Sequence, residues 1–149
     1  MRRRLIVVLA ILCFALPYIQ AQKRKPTRTQ TKNPCAGAMT QGELNDCFCS
    51  QYKKADAELN RIYQELIAAN GHDKVFVDKL KIAQRAWIAF RDAQLEATYP
   101  ETGDPQVKYG SVYPMCYCMA QQNLTEERTK HLRRMLRSTE GDVCGWNVH

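Results

Sequence analysis

Residues 40–71 read TQGELNDCFCSQYKKADAELNRIYQELIAANG, and their pattern decides the fold class. Apolar or semi-apolar side chains recur at Leu44, Phe48, Tyr52, Ala55, Leu59, Ile62 and Leu66. Every step is three or four residues, the repeat that lines up side chains on one face of an α-helix. Thr40 and Glu43 stand at capping-box spacing: the hydroxyl can accept from the Glu43 N–H while the carboxylate reaches back. Gly71 offers a stop, because glycine takes the left-handed conformation at a helix end without steric cost. A first helix over 41–70 follows.

Working outward, Asp73 is placed to cap a second helix, with an expected core stripe of Phe76, Leu80, Ala83, Trp87 and Phe90 that Leu95 and Ala97 continue loosely. So short a link between the first two helices forces an antiparallel hairpin. Residues 100–110 hold two prolines and two glycines and read as a loop. Ser111 can cap a third helix with Pro114 in its first turn, where a missing N–H costs nothing. Leu124, Leu132, Met135 and Leu136 give that helix a thinner stripe, supported by Glu126 and Lys130 four residues apart. It should end near Ser138, and residues 139–149, with Cys144 and Trp146, should fold back over the bundle. No strand pattern and no repeat occurs. The expected fold is all-α, a small antiparallel three-helix bundle stabilised by disulfides.

The N-terminus sets the compartment. Arg2, Arg3 and Arg4 precede an apolar run from Leu5 to Leu16, and Ala21 supplies a small residue at a cut. This is the pattern of a secretory signal peptide. The run is too short for the roughly 20 residues that span a bilayer. Cys13 lies inside the run, away from a lipoprotein position. The expected organisation is a signal peptide at 1–21 cleaved after Ala21, a basic disordered linker at 22–34, and a helical disulfide-bonded domain at 35–149, in the periplasm or secreted. No transmembrane segment is expected in the mature chain.

The formal charge of +7 belongs mostly to what precedes the domain. Arg2, Arg3, Arg4, Lys23, Arg24, Lys25, Arg28 and Lys32 account for eight of the 22 basic residues; the remaining 14 face 15 acidic ones, a balance of −1. The linker has nothing apolar to bury and reads as solvated, though its charge could meet anionic lipid, polysaccharide or nucleic acid. No specific nucleic-acid partner is expected.

Removing Cys13 leaves six cysteines: Cys35, Cys47, Cys49, Cys116, Cys118 and Cys144. An even number in a small exported chain reads as a disulfide framework, with connectivity left open. The C-x-C pairs, Cys47/Cys49 and Cys116/Cys118, meet at one end of an antiparallel bundle. There they read as interhelical bridges, or alternatively as a four-thiolate site for Cu(I) or Zn. The oxidising compartment favours bridges, so no metal and no cofactor is expected.

Beside the apolar stripes lies a polar set: Asp56, Asn60 and Tyr63; Gln84 and Arg91; Thr125 and Arg128. It reads as an interhelical network that fixes register, for example through Asp56 and Arg91; a ligand pocket is the other reading. His72, His131 and His149 fall at no metal spacing, and no nucleophile has an obvious base, so no catalytic residue is assigned and no enzyme is expected.

Several of these residues carry a resemblance. Cys35 and Cys47 are followed by ADAELNRIY at 55–63, AQRAWIAFRDA at 83–93, Gly110-Ser111, and LTEER at 124–128. In this order they resemble the LprI-type lysozyme inhibitor family of small exported bacterial proteins, from Cys35 to about Leu136. Two departures stand out: Leu95 occupies a place where that family usually has a cysteine, and the family's last cysteine lies nearer Ala120 than Cys118. The resemblance implies a non-catalytic exported binding protein that blocks lysozyme and so protects peptidoglycan, its partner lysozyme or another envelope protein. It carries over no inhibitory residue. Common lysozymes are cationic with an acidic cleft, so an inhibitor presents acidic surface for steering or a basic finger for the cleft. Two other readings stay open: an envelope metal- or redox-handling protein using the C-x-C pairs, and a structural or stress-related envelope protein of unknown partner.

Overall fold

The computed structural model describes residues 33–137. The expected leader (1–21), nearly all of the expected linker and the closing stretch with Cys144 and Trp146 lie outside the described residues. The described chain is all-helical, in four helices: α1, Gln41–Ala69; α2, Lys74–Thr98; α3, Pro105–Tyr109; and α4, Tyr113–Leu136.

The capping box at the start of α1 is present. Thr40 Oγ1 accepts from the Glu43 N–H at 3.2 Å, and Glu43 Oε2 accepts from the N–H groups of Thr40 at 3.0 Å and Met39 at 2.7 Å. These backbone donors, Met39 foremost, hold the Glu43 carboxyl below its usual range. At the other end the expected left-handed glycine is not used. Asn70 turns its side chain back, donating from Nδ2 to the Leu66 carbonyl at 2.8 Å, so a buried amide satisfies the freed carbonyl.

Asp73 caps α2 as expected, accepting from the Phe76 N–H at 2.9 Å. The α2 stripe is as expected at Leu80 and Leu95 and, half-buried against the core, at Phe76 and Trp87; it is corrected at Ala83 and Phe90. Val77, Leu80, Gln84 and Leu95 are buried, whereas Ala83 and Phe90 are exposed. Gln84 can sit inside because its amide finds a partner on α4, which removes the penalty for burying it.

The expected loop at 100–110 contains α3. Asp104 caps it by accepting from the Gln106 N–H at 2.9 Å, and Pro105 fills the first turn. Gly110 ends it at φ 73°, ψ −174°, a region open essentially to glycine alone. Ser111 is not the cap of the next helix. Val112 holds that position with no side-chain bond, while the Ser111 carbonyl accepts from Asn45 Nδ2 at 3.0 Å.

Three cross-links set direction. Asn45 meets Ser111, Cys49 bonds Cys118, and Glu58 accepts from Arg133, so residue numbers rise together and α1 runs alongside α4. Gln84 meets Arg128 and Tyr99 meets Tyr117, so α2 runs the other way. The packing is not that of three equal helices: α1 and α4 form the close pair, and α2 leans more loosely on α4. The apolar core gathers Leu59, Ile62, Leu66, Leu80 and Leu132 where α1 ends and α2 begins. Burying each such side chain stabilises the fold by about 1.5–3 kcal/mol.

The opposite end is held covalently. Cys35–Cys47 ties the entering chain to α1, and Cys49–Cys118, 69 residues apart, ties α1 to α4. Closing a loop of that length stabilises by about 4 kcal/mol through lost entropy of the unfolded chain. The two C-x-C pairs do not bridge to one another twice. Residues two apart on a helix face different sides, so Cys49 and Cys118 meet while Cys47 turns to Cys35.

Candidate functional site

The polar set expected to form one network forms three groups. On α1, Asn60 Nδ2 donates to Asp56 Oδ2 at 3.2 Å. Between α2 and α4, Arg128 Nε donates to Gln84 Oε1 at 3.1 Å. Burial lowers the Arg128 pKa, and Tyr63 acts against that shift, which places Tyr63 in the same group. On α2, the Arg91 side chain is only 14% exposed, donates from Nε to Asp92 Oδ1 at 2.8 Å, and lies over the Trp87 ring at 5.4 Å. The suggested Asp56–Arg91 bond is therefore replaced by Arg91–Asp92, although Tyr52 senses the charges of Arg91, Asp56 and Asp92 together. Thr125 is completely buried and its hydroxyl has no hydrogen-bond partner. Of these groups, Gln84 with Arg128 joins two helices, whereas Asp56 with Asn60 and Arg91 with Asp92 lie each within one.

The cysteines are equally informative. Cys47, Cys49 and Cys118 are consumed in bridges, so the four-thiolate arrangement is not formed. Cys116 has no bridge among the described residues and is half-buried near Tyr99; Cys144 lies outside them.

Among the described residues, hollows lie on two sides of α4. One, of about 370 Å³, lies between α1 and α4 and includes Glu58, Gln122, Glu126, Lys130 and Arg133. Its charged groups mostly answer one another or their neighbours: Glu58 takes Arg133, Gln122 donates to Glu126, and Lys130 bonds Glu127 rather than the expected Glu126. The other, of about 210 Å³ between α2 and α4, has Phe76, Leu80, Ala83 and Met135 around it, with Lys79, Arg128 and His131.

The strongest candidate was not anticipated. Tyr99 at the end of α2, Tyr109 on α3, and Tyr113 and Tyr117 on α4 converge beside the Cys49–Cys118 bridge. Tyr99 meets Tyr109 and Tyr113 edge-on at 5.6 and 5.5 Å, Tyr109 stacks on Tyr113 at 5.7 Å, and Tyr113 lies 5.5 Å from Tyr117. Such pairs contribute about 0.5–1.5 kcal/mol each beyond the area they bury. All four rings are partly exposed, and burial raises the pKa of Tyr99, Tyr113 and Tyr117. The adjoining loop is tied in place. Glu101 accepts from the Thr102 and Gly103 N–H groups, and Lys108 Nζ donates to the Pro100 carbonyl at 2.6 Å while lying 5.2 Å over the Tyr109 ring. The available signal was Tyr109, Tyr113 and Tyr117 recurring every four residues, hidden because Pro105 and Gly110 marked the stretch as loop.

No helix among the described residues is long and apolar enough to cross a membrane. A family model described as "Lysozyme inhibitor LprI" matches residues 32–132. An uncharacterized protein of Rhizobium meliloti (strain 1021) is 36% identical over 127 residues, covering 77% of this chain and 88% of that protein. No solved structure matches. With a match over two thirds of its length and the family's motif runs on three of its four helices, the chain belongs to the LprI lysozyme inhibitor family.

Proposed function

We propose that this chain is an exported, non-catalytic protein that inhibits lysozyme by binding it and thereby protects peptidoglycan. Family membership over residues 32–132 is the observation that carries this reading. The geometry supports a binding role: a partly exposed tyrosine cluster drawn from α2, α3 and α4 adjoins a loop fixed by its own hydrogen bonds. Tyrosine is enriched at protein interfaces because it offers a large contact area with a polar tip. In this reading residues 1–21 are removed after Ala21, residues 22–34 are a solvated basic linker, and Cys116 pairs with Cys144 as a third bridge.

The test uses the mature chain purified from an oxidising compartment. Micromolar excess should suppress lysis of cell walls by lysozyme. Undiminished lysis at that excess would overturn the reading. Intact mass should lie six hydrogens below that of the fully reduced protein; an alkylatable Cys116 in the oxidised chain would remove the third bridge.

A further inference from the structure

From the division of charge along the helices we infer that the tyrosine-lined end is the docking face, and that its partner is a compact cationic protein presenting Arg and Lys. This rests on the reading as a lysozyme inhibitor and specifies which surface performs it.

The near-neutral balance of the folded region conceals a strong polarity. Residues 33–56 and 88–122 form the end where α1 begins, α2 finishes, and α3 and the first half of α4 lie. They hold seven acidic residues against four basic ones, a balance of −3. Residues 57–87 and 123–137, towards the other end, hold six acidic against ten basic, a balance of +4. Of the four basic residues at this end, Lys53 and Lys54 are exposed on α1 and the two nearer the tyrosines are engaged. Arg91 is stacked on Trp87 and bonded to Asp92, and Lys108 is bonded to Pro100 beside Glu101 at 3.7 Å. Burial first, and then the charges of Asp92 and Glu96 on α2, raise the pKa of Tyr117, so acidic charge acts on that ring.

Acid and aromatic groups in one patch suit one kind of partner. Carboxylates at the rim steer a positive surface and orient it during encounter. Tyrosine faces then receive Arg and Lys side chains by cation–π contact, and Lys108 over Tyr109 already shows that geometry within the chain. Val107, 86% exposed on α3, adds an apolar contact with no role in the fold. The balance of −3 is that of the folded residues; Lys23, Arg24, Lys25, Arg28 and Lys32 precede Cys35 and belong to the linker, outside this face. This end therefore meets the cationic body of lysozyme, blocking access to the cleft by covering its approach.

The experiment measures binding to lysozyme and inhibition of lysis with the full exported chain and three variants. Val107→Arg alters a side chain that packs on nothing. Asp46→Lys with Glu96→Lys reverses two exposed acids at this end, neither of which caps a helix. Arg134→Glu with Arg137→Glu reverses charge at the far end. Val107→Arg should weaken binding at least tenfold. The double acid reversal should slow association about tenfold at low salt, with the difference shrinking towards 1 M salt. The far-end variant should keep wild-type affinity. If the wild-type chain inhibits and the first two variants match it, the docking face is wrong although the function stands; loss confined to the far-end variant moves the face to the basic end. A wild-type chain that never binds lysozyme ends both readings. Binding to insoluble peptidoglycan without lysozyme, through Val107 and the tyrosines, would overturn this partner in favour of a glycan.

Discussion

Thr125 is a hydroxyl sealed inside a helical seam with nothing to bond. A buried polar group without a partner costs about 1–3 kcal/mol, whereas an apolar group of the same shape escapes that penalty. Thr125→Val should therefore leave stability unchanged or raise it by about 1 kcal/mol, seen as a higher Tm in thermal unfolding. A fall of that size would mean the hydroxyl is bonded after all. Helical spacing alone puts Thr125, Gln84 and Arg128 beside the apolar stripes. It could not pair them. Arg91 bonds its neighbour Asp92 and covers Trp87 one turn back, contacts within α2 that the periodicity of apolar residues does not reveal.

At the scale of elements, the starts of α1 and α2 were legible because Thr40, Glu43 and Asp73 cap locally, with chemistry that needs no tertiary context. α3 was not legible: five residues have no periodicity to read, and Pro105 and Gly110 spoke for a loop. The joint between α1 and α4 is likewise tertiary. Glu58 accepts from Arg61 on its own helix and from Arg133 on α4, hydrogen bonds that hold its pKa at about 2 against an ordinary 4.5. Since the folded value lies below the unfolded one, the stability this carboxylate adds is complete above pH 4.5 and disappears as pH falls towards 2. Glu58→Gln should flatten the fall of Tm between those values. The groups are largely solvated, so the effect is small and weakens with salt. An unchanged acid profile in the variant would show that the joint contributes nothing.

Across the whole molecule, α-helical class and covalent cross-linking were both evident from periodicity and cysteine parity. Unequal packing was not, since α2 carries enough apolar residues to suggest a full partner and leaves Val75, Ile82 and Phe90 in solvent. The leucine core and the two bridges occupy opposite ends. A reductant should therefore act unevenly: in dithiothreitol, circular dichroism should retain much of the helical signal while lysozyme inhibition is lost. Helicity and inhibition falling together would contradict this separation.

The placement of Cys35–Cys47 and Cys49–Cys118 thus makes one end of the molecule answer to the redox state of its surroundings. Where thiols are kept reduced, that end would slacken around a surviving greasy hub. Under the proposed export, oxidation would set it firm only on arrival.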